Sequence, residues 1–170
     1  MKARLKTSFI LGDFGFAVAL SPGEVFTLKG STPSFLPPEW FVQMRDGVSY
    51  SDLQKQNITA RAKFPCKIDI YQFGLIVWLA LHKKSDVWAD EFQKIKPSNP
   101  KMKKHEFLQE LFSNPDTYST RPSFATDATP LYSKLRNLAQ SCWQPYVQRR
   151  PSAGEILAIL SDKDEAVTQV

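Results

Sequence analysis

The sequence predicts a mainly α-helical protein with one short β segment near its N-terminus. An apolar stretch at residues 68–82 is too long for an ordinary strand, and two shorter segments repeat apolar residues every three or four positions. A capping-box pair, Ser152 and Glu155, precedes a further apolar run. The chain has 170 residues, 42% hydrophobic and 23% charged, as expected of one ordinary globular domain.

The N-terminal third contains little regular structure. Residues 5–11 (LKTSFIL) are rich in β-forming types and end at Gly12, which predicts the short strand. Serine, threonine and proline punctuate residues 17–38 and predict a long loop, after which Pro38 suits the first turn of a short helix. Residues 45–65 are polar and weakly patterned, and we expect them to be irregular.

The centre of the chain contains the strongest helical signal. Residues 68–82 (IDIYQFGLIVWLALH) are apolar almost all the way round, which predicts a helix buried on every side, although β-branched residues leave a strand open. Residues 83–103 predict a loop with one helical turn at 87–92. Residues 105–112 predict an amphipathic helix whose apolar face consists of Phe107, Leu108, Leu111 and Phe112.

Two more helices are predicted towards the C-terminus. Thr129 and Pro130 form a helix start, followed by an apolar stripe of Leu131, Leu135, Leu138 and Cys142. Pro151 and the capping box begin the last helix, for which we expect a buried face of Ile156, Leu157, Ile159 and Leu160. Trp78 and Trp143 are interpreted as core residues. The tail after Ser161 is expected to fray.

Composition argues against several function classes. The net charge is +5, but the densest basic run, residues 101–104, lacks interleaved aromatic residues and glycines, which argues against nucleic-acid binding. Two cysteines and two histidines match no zinc spacing and favour a reducing compartment. The stretch 73–81 is too short to span a bilayer, and the N-terminus is a poor secretory signal. We therefore expect a soluble cytoplasmic protein without membrane partners.

Four stretches in order resemble the C-terminal half of a protein kinase domain. The first is Asp13-Phe14-Gly15. Residues 31–40 (STPSFLPPEW) resemble the end of an activation segment, with Pro37-Pro38-Glu39 where Ala-Pro-Glu is usual. Residues 67–81 resemble the start of the family's central buried helix. Residues 142–160 resemble its Cys-Trp, Arg-Pro-Ser and final helix, a pattern that favours the tyrosine-kinase-like group.

The resemblance implies an incomplete kinase-like C-lobe at residues 1–161, with a tail at 162–170. The activation segment would be residues 13–39 and the helical core residues 67–160. Glu39 and Asp69 are about twice as far apart as the family pattern suggests, so residues 45–62 are interpreted as an insertion.

In the family, the aspartate of Asp-Phe-Gly holds the magnesium ion that bridges the phosphates of ATP. Magnesium is a hard ion that prefers oxygen ligands. The resemblance therefore implies that Asp13 is a metal ligand, that Phe14 packs to orient it and that Gly15 allows the turn. The alternative is an ordinary turn without a ligand.

Other site residues are also implied by the resemblance. Glu39 and Arg150 would form a buried ion pair, and Asp69 would brace the catalytic loop, with a helix-dipole role as its alternative. Thr32 would shape substrate docking. Possible phosphorylation sites, with unmodified loop residues as the favoured alternative, are Ser21, Thr27 and Ser31.

Several catalytic parts of a kinase are not found in the sequence. These are the glycine-rich loop, the strand lysine and the His-Arg-Asp-x-x-x-x-Asn loop, which precede Asp-Phe-Gly in the family, whereas 12 residues precede Asp13 here. The parent would transfer the γ-phosphate of ATP to protein Ser, Thr or Tyr hydroxyls. We assign this chain no catalytic residue, expect it to bind neither ATP nor Mg²⁺ alone, and expect the missing half to cover residues 73–81.

Two other interpretations remain open. The chain could be a catalytically dead kinase-like scaffold that binds a protein substrate or a partner kinase. It could also be an unrelated helical domain in which the four motifs coincide by chance.

Overall fold

The computed structural model describes residues 17–19, 21, 32–38, 66–113, 122–124, 129–144 and 146–162. These ranges contain the helices α1 (Cys66–His82), α2 (Ala89–Ile95), α3 (Lys104–Ser113), α4 (Pro130–Cys142) and α5 (Ala153–Ser161). Short 3-10 turns span Pro33–Phe35 and Val147–Arg149. The described ranges are mainly helical and contain no strand. The predicted strand at 5–11, the helix after Pro38 and the insertion at 45–62 lie outside them.

Helix α1 forms the centre of the fold, as its apolar sequence predicted. Tyr71, Leu75 and Trp78 recur at helical spacing and are at most 4% exposed. They belong to a cluster that also receives side chains from the 32–38 segment, α3 and the residues before α2. The prediction that α1 is buried on every side is wrong, because Ile76 in the middle of the helix is 54% exposed.

Helices α1 and α4 approach each other closely at Gly74. A Cβ atom at this position would lie 2.8 Å from Cys142 Cβ and 3.0 Å from the Ala139 carbonyl oxygen. Those separations are shorter than ordinary van der Waals contact, so the absence of a side chain lets the two helices pack together. Cys142 and Ala139 are both fully buried in this contact.

Helix α4 begins where the sequence predicted, and Thr129 Oγ1 accepts a hydrogen bond from the Tyr132 backbone N–H at 3.3 Å. The predicted apolar stripe is only partly correct. Leu138 and Cys142 are buried, but Leu131 is 62% exposed, and Tyr132 takes a buried position instead. The stripe is rotated because α4 faces α1 through Ala139 and Cys142.

Helices α2 and α3 flank the other side of the core. All four residues predicted for the apolar face of α3 are buried, which confirms its pattern. Helix α2 is longer than the single turn expected and spans seven residues. Trp88, which precedes it, packs edge-on against Phe112 of α3 with ring centroids 5.6 Å apart.

Helix α5 has the predicted capping box, in which Ser152 Oγ accepts from the Glu155 N–H and the Glu155 carboxylate accepts from the Ser152 N–H. The predicted buried face is wrong, however. Ile156 is buried, while the three other apolar positions are exposed because the core contacts only one side of the helix: Leu157, Ile159 and Leu160. None of the described helices is long and apolar enough to cross a membrane.

Candidate functional site

Arg150 lies in the interior of the protein, with only 2% of its surface exposed. Its Nε donates a hydrogen bond to the Gln144 carbonyl at 2.8 Å, and its Nη1 donates to the Lys67 carbonyl at 3.1 Å. In return, Lys67 Nζ donates to the Arg150 carbonyl at 2.5 Å. These reciprocal bonds join the first turn of α1 to the segment that precedes α5.

The guanidinium group of Arg150 also stacks over the ring of Tyr71, 4.9 Å from its centroid. A cation over an aromatic face is attracted by the ring quadrupole, more strongly where water is excluded. Tyr71 itself is buried and belongs to the same cluster as Leu36 and Ile68. Arg150 is thereby connected through Tyr71 to the segment at residues 32–38.

That segment is anchored to the core at two points. Within it, the Phe35 N–H donates to the Thr32 carbonyl at 3.0 Å and closes the 3-10 turn. Leu36 is 2% exposed, and Trp88 Nε1 donates to the Ser34 carbonyl at 3.1 Å. The end of the predicted activation segment is therefore held in one place by both apolar packing and a directional bond.

Thr32 stands at the start of this turn with an exposed side chain. Its hydroxyl makes no capping hydrogen bond to the turn. The residue thus has the exposure that a substrate-docking position requires, although its role stays a prediction.

Asp69 lies in the first turn of α1, where the helix dipole favours a carboxylate. Its side chain is exposed overall, but neighbouring protein atoms partly desolvate the carboxylate and raise its pKa. No hydrogen bond to Asp69 is found within the described parts of the chain. The proposed brace for a catalytic loop stays a prediction.

The remaining predicted site residues mostly lie outside the described ranges: Asp13, Phe14, Gly15, Thr27, Ser31 and Glu39. The Glu39–Arg150 ion pair and the magnesium ligand are therefore untested predictions. Ser21 is exposed and belongs to no helix or turn. Where the structure describes the chain, no group of three or more His, Cys, Asp and Glu side chains is placed to hold a metal ion.

Three residues that complete this site were missed by sequence reasoning. Tyr71 had a signal, because it lies in the kinase-like segment at 67–81, whereas Trp88 was interpreted only as part of a helical turn. Lys67 begins the same kinase-like segment, but nothing local indicated its bond to a residue 83 positions away. The core roles predicted for Trp78 and Trp143 are confirmed: both are at most 4% exposed, and Trp78 Nε1 donates to the Ser123 carbonyl at 2.9 Å.

The chain is similar to two kinases of Dictyostelium discoideum. It is 30% identical over 152 residues to the dual specificity protein kinase shkD, a match that covers 88% of this chain and 16% of the relative. It is 28% identical over 160 residues to a "Probable serine/threonine-protein kinase", covering 92% of this chain and 8% of that protein. The chain thus spans less than a fifth of either relative.

No family model matches the chain, and no solved structure matches it. The two similarities nevertheless extend over about nine tenths of the chain. They support a protein-kinase-like region.

Proposed function

We propose that the chain is the C-terminal lobe of a protein kinase domain of the tyrosine-kinase-like group. The parent protein would transfer the γ-phosphate of ATP to Ser, Thr or Tyr hydroxyls of a protein substrate. The observation that carries the proposal is the buried Arg150, at the Arg-Pro-Ser motif, bonded to the start of the helix that resembles the kinase central helix. Similarity to two kinases supports the broader part of the proposal, a protein-kinase-like region.

The anchored 32–38 segment supports a docking role for this face. A surface that positions a protein substrate has to be held rigid, because misplacement of the reacting hydroxyl lowers the rate steeply. Leu36 and the bond from Trp88 provide such support beneath the segment. In the proposal, Thr32 contacts the substrate, and the Glu39 carboxylate pairs with Arg150.

The chain by itself is proposed to be inactive. Phosphoryl transfer depends on positioning and charge stabilisation by groups that act jointly. The sequence contains Asp13 as a candidate magnesium ligand but lacks the glycine-rich loop, the strand lysine and the His-Arg-Asp loop. We therefore expect no measurable ATP or Mg²⁺ binding by this chain alone.

The exposure of Ile76 supports a further element that packs on α1. Ile76 is 54% exposed in the middle of an otherwise apolar helix. We propose that an upstream kinase half covers residues 73–81 in the parent and that the isolated chain associates or unfolds at modest temperature.

The alternative function is a catalytically dead scaffold that binds a substrate protein or a partner kinase. The anchored 32–38 segment favours it as well, because a binding face needs no ATP site. Both proposals place the protein in the cytoplasm, and that location too remains a proposal.

The decisive experiment measures the melting temperature of the purified chain with and without Mg-ATP, alongside labelling of a protein substrate from radioactive ATP. We expect no stabilisation and no labelling. Labelling that disappears in Asp13→Ala would overturn the proposal that the chain is inactive. An in-frame His-Arg-Asp and Asn in the coding sequence upstream of Met1 would support the kinase lobe, whereas stop codons there would favour the scaffold.

A further inference from the structure

The positive charge of the chain is concentrated in one short segment. The chain has 22 basic and 17 acidic residues. Residues 92–105 contain five lysines and no acidic residue, so the rest of the chain holds 17 of each sign and is balanced. Residues 94–103, which connect the end of α2 to the start of α3, are called the basic loop below.

Four lysines of the basic loop are exposed: Lys94, Lys96, Lys101 and Lys103. The fifth lysine of the segment, Lys104, lies in α3 and forms an ion pair with Asp86. Lys84, which precedes α2, is likewise paired with Asp90 in the first turn of that helix. Asp86 and Asp90 therefore pair with lysines outside the loop. The Glu106 carboxylate accepts a hydrogen bond from the Lys103 N–H at 2.7 Å, and Lys94 contributes to the lowered pKa of Asp90, so the four exposed lysines still leave the loop with a net positive charge.

The basic loop has a defined backbone conformation. The Ser98 and Asn99 N–H groups donate to the Ile95 carbonyl at 3.1 and 3.3 Å, and the Met102 N–H donates to the Asn99 carbonyl at 3.1 Å. Ile95 and Met102 pack against the main core cluster at the two ends of the loop. The lysines are thus presented from an ordered support, which reduces the entropy lost when a partner binds.

We propose that the basic loop is a docking surface for an acidic segment of a partner protein. Lysine ammonium groups on an exposed, ordered loop complement a run of Asp and Glu side chains. The inference does not depend on the proposed kinase function, because it rests on charge and loop geometry alone.

Other anionic partners fit the basic loop less well. Single-stranded nucleic acid is held by aromatic stacking as well as charge, and residues 94–103 contain no aromatic side chain. An anionic membrane surface is bound most stably when apolar side chains insert beside the basic ones. The two large apolar residues of the loop, Ile95 and Met102, are instead committed to the core.

The test measures binding of a fluorescent peptide of alternating Glu and Gly to the full chain by anisotropy, at low salt and at roughly 0.3 M salt, where surface charges are strongly screened. The working concentration is kept below that at which light scattering detects association. We expect binding at low salt that weakens at high salt, and no binding of the corresponding Gln and Gly peptide.

The matched variants remove two charges each. Lys96→Gln with Lys101→Gln should weaken binding about fivefold, as expected for two exposed ion pairs. Lys83→Gln with Arg149→Gln removes the same charge from exposed positions outside the loop and should change affinity less than about twofold. Circular dichroism confirms that both variants keep their helices.

Three outcomes would overturn the inference. Equal weakening by both variants would show a general charge effect. Absence of peptide binding at low salt would show that the loop is only a solvated surface. Tighter binding of single-stranded RNA or of phosphatidylserine vesicles, lost in the loop variant, would assign the surface to another class of partner.

Discussion

Arg150 and Lys67 each donate a side-chain hydrogen bond to the backbone carbonyl of the other. The pair joins chain segments 83 residues apart, at the start of α1 and just before α5. Because the carbonyls of both residues and that of Gln144 are bonded to cationic side chains, loss of one partner leaves buried polar groups without their donors.

We predict that Arg150→Met destabilises the chain by about 2–4 kcal/mol, since methionine keeps much of the apolar volume but removes the donors. The measurement is the midpoint of urea unfolding followed by helical circular dichroism. Arg149→Met is the control, because Arg149 is exposed and stacks on the exposed Tyr146. Arg149→Met should lower the free energy of unfolding by less than about 1 kcal/mol. Equal losses in both variants would show that the buried hydrogen bonds of Arg150 do not stabilise the chain.

The two described glycines make a second matched test. Gly74→Ala places a Cβ 2.8 Å from Cys142 Cβ, so α1 and α4 must move apart despite the better helix propensity of alanine. We expect a net loss of about 1–3 kcal/mol. Gly154→Ala, in exposed α5 with its nearest neighbour 3.9 Å away, should instead stabilise by about 0.5–1 kcal/mol. The same urea midpoints measure both, and a stabilised Gly74→Ala variant would contradict the close packing.

The features that the sequence predicted well depend on neighbouring residues in the chain. The N-caps Thr129 and Ser152 bond backbone groups three residues away, so a short pattern was enough to locate the starts of α4 and α5. Which side of each helix is buried depends on the facing element, which is why the exposed Leu131 and Leu157 were predicted wrongly.

In the candidate site, too, local features were predicted from the sequence and long-range contacts were not. The Arg-Pro-Ser motif pointed to Arg150, but nothing local indicated that the carbonyl of Lys67 would be its partner. The anchor from Trp88 to Ser34 likewise joins residues 54 apart in the sequence. Contacts at such separations are set by how the helices pack, so they become visible only in the folded chain.

The two cysteines should differ strongly in reactivity. Cys142 is fully buried, and burial raises its pKa from 9.0 to about 11, whereas Cys66 is exposed. Thiolate is the reactive form, so iodoacetamide at mildly alkaline pH should modify Cys66 in the folded chain and Cys142 only in urea. Mass spectrometry of the digested protein counts the modified sites, and rapid native labelling of Cys142 would show that the α1–α4 contact opens.

The raised pKa of Cys142 also makes the stability of the chain depend on pH. The unfolded chain releases the Cys142 proton near pH 9, while the folded chain retains it to about pH 11. Above pH 9 the folded state therefore binds more protons than the unfolded state, and stability falls as pH rises towards 11. Cys142→Ala should lack this component, which is seen as a smaller loss of urea midpoint between pH 8.5 and 10.5.

Substitution of Asp69 can distinguish its proposed contact with a catalytic loop from any stabilising role within this chain. Desolvation raises the pKa of Asp69 above its ordinary value of 3.8. The folded state therefore holds the carboxyl proton more tightly than the unfolded state, and the free energy of unfolding falls as pH rises from 3.8 through the raised pKa. Because the pKa is raised despite the favourable helix dipole, desolvation is the larger effect, and Asp69→Asn in the isolated chain should leave the urea midpoint at neutral pH unchanged or slightly higher. Asp90 is the control of opposite sign, because its hydrogen bond with Lys84 lowers its pKa and its contribution is lost as pH falls below 3.8.

In a longer protein that carries the proposed upstream half, Asp69→Asn should instead lower both stability and phosphoryl transfer, because a carboxylate that accepts backbone N–H bonds would be lost. Comparing the urea midpoints of the short and long proteins, each with and without the substitution, isolates this difference. A large loss in the short chain would mean that Asp69 has an internal partner. No loss in the long protein would mean that the carboxylate braces nothing, and the proposed docking of a catalytic loop onto the start of α1 would then be wrong.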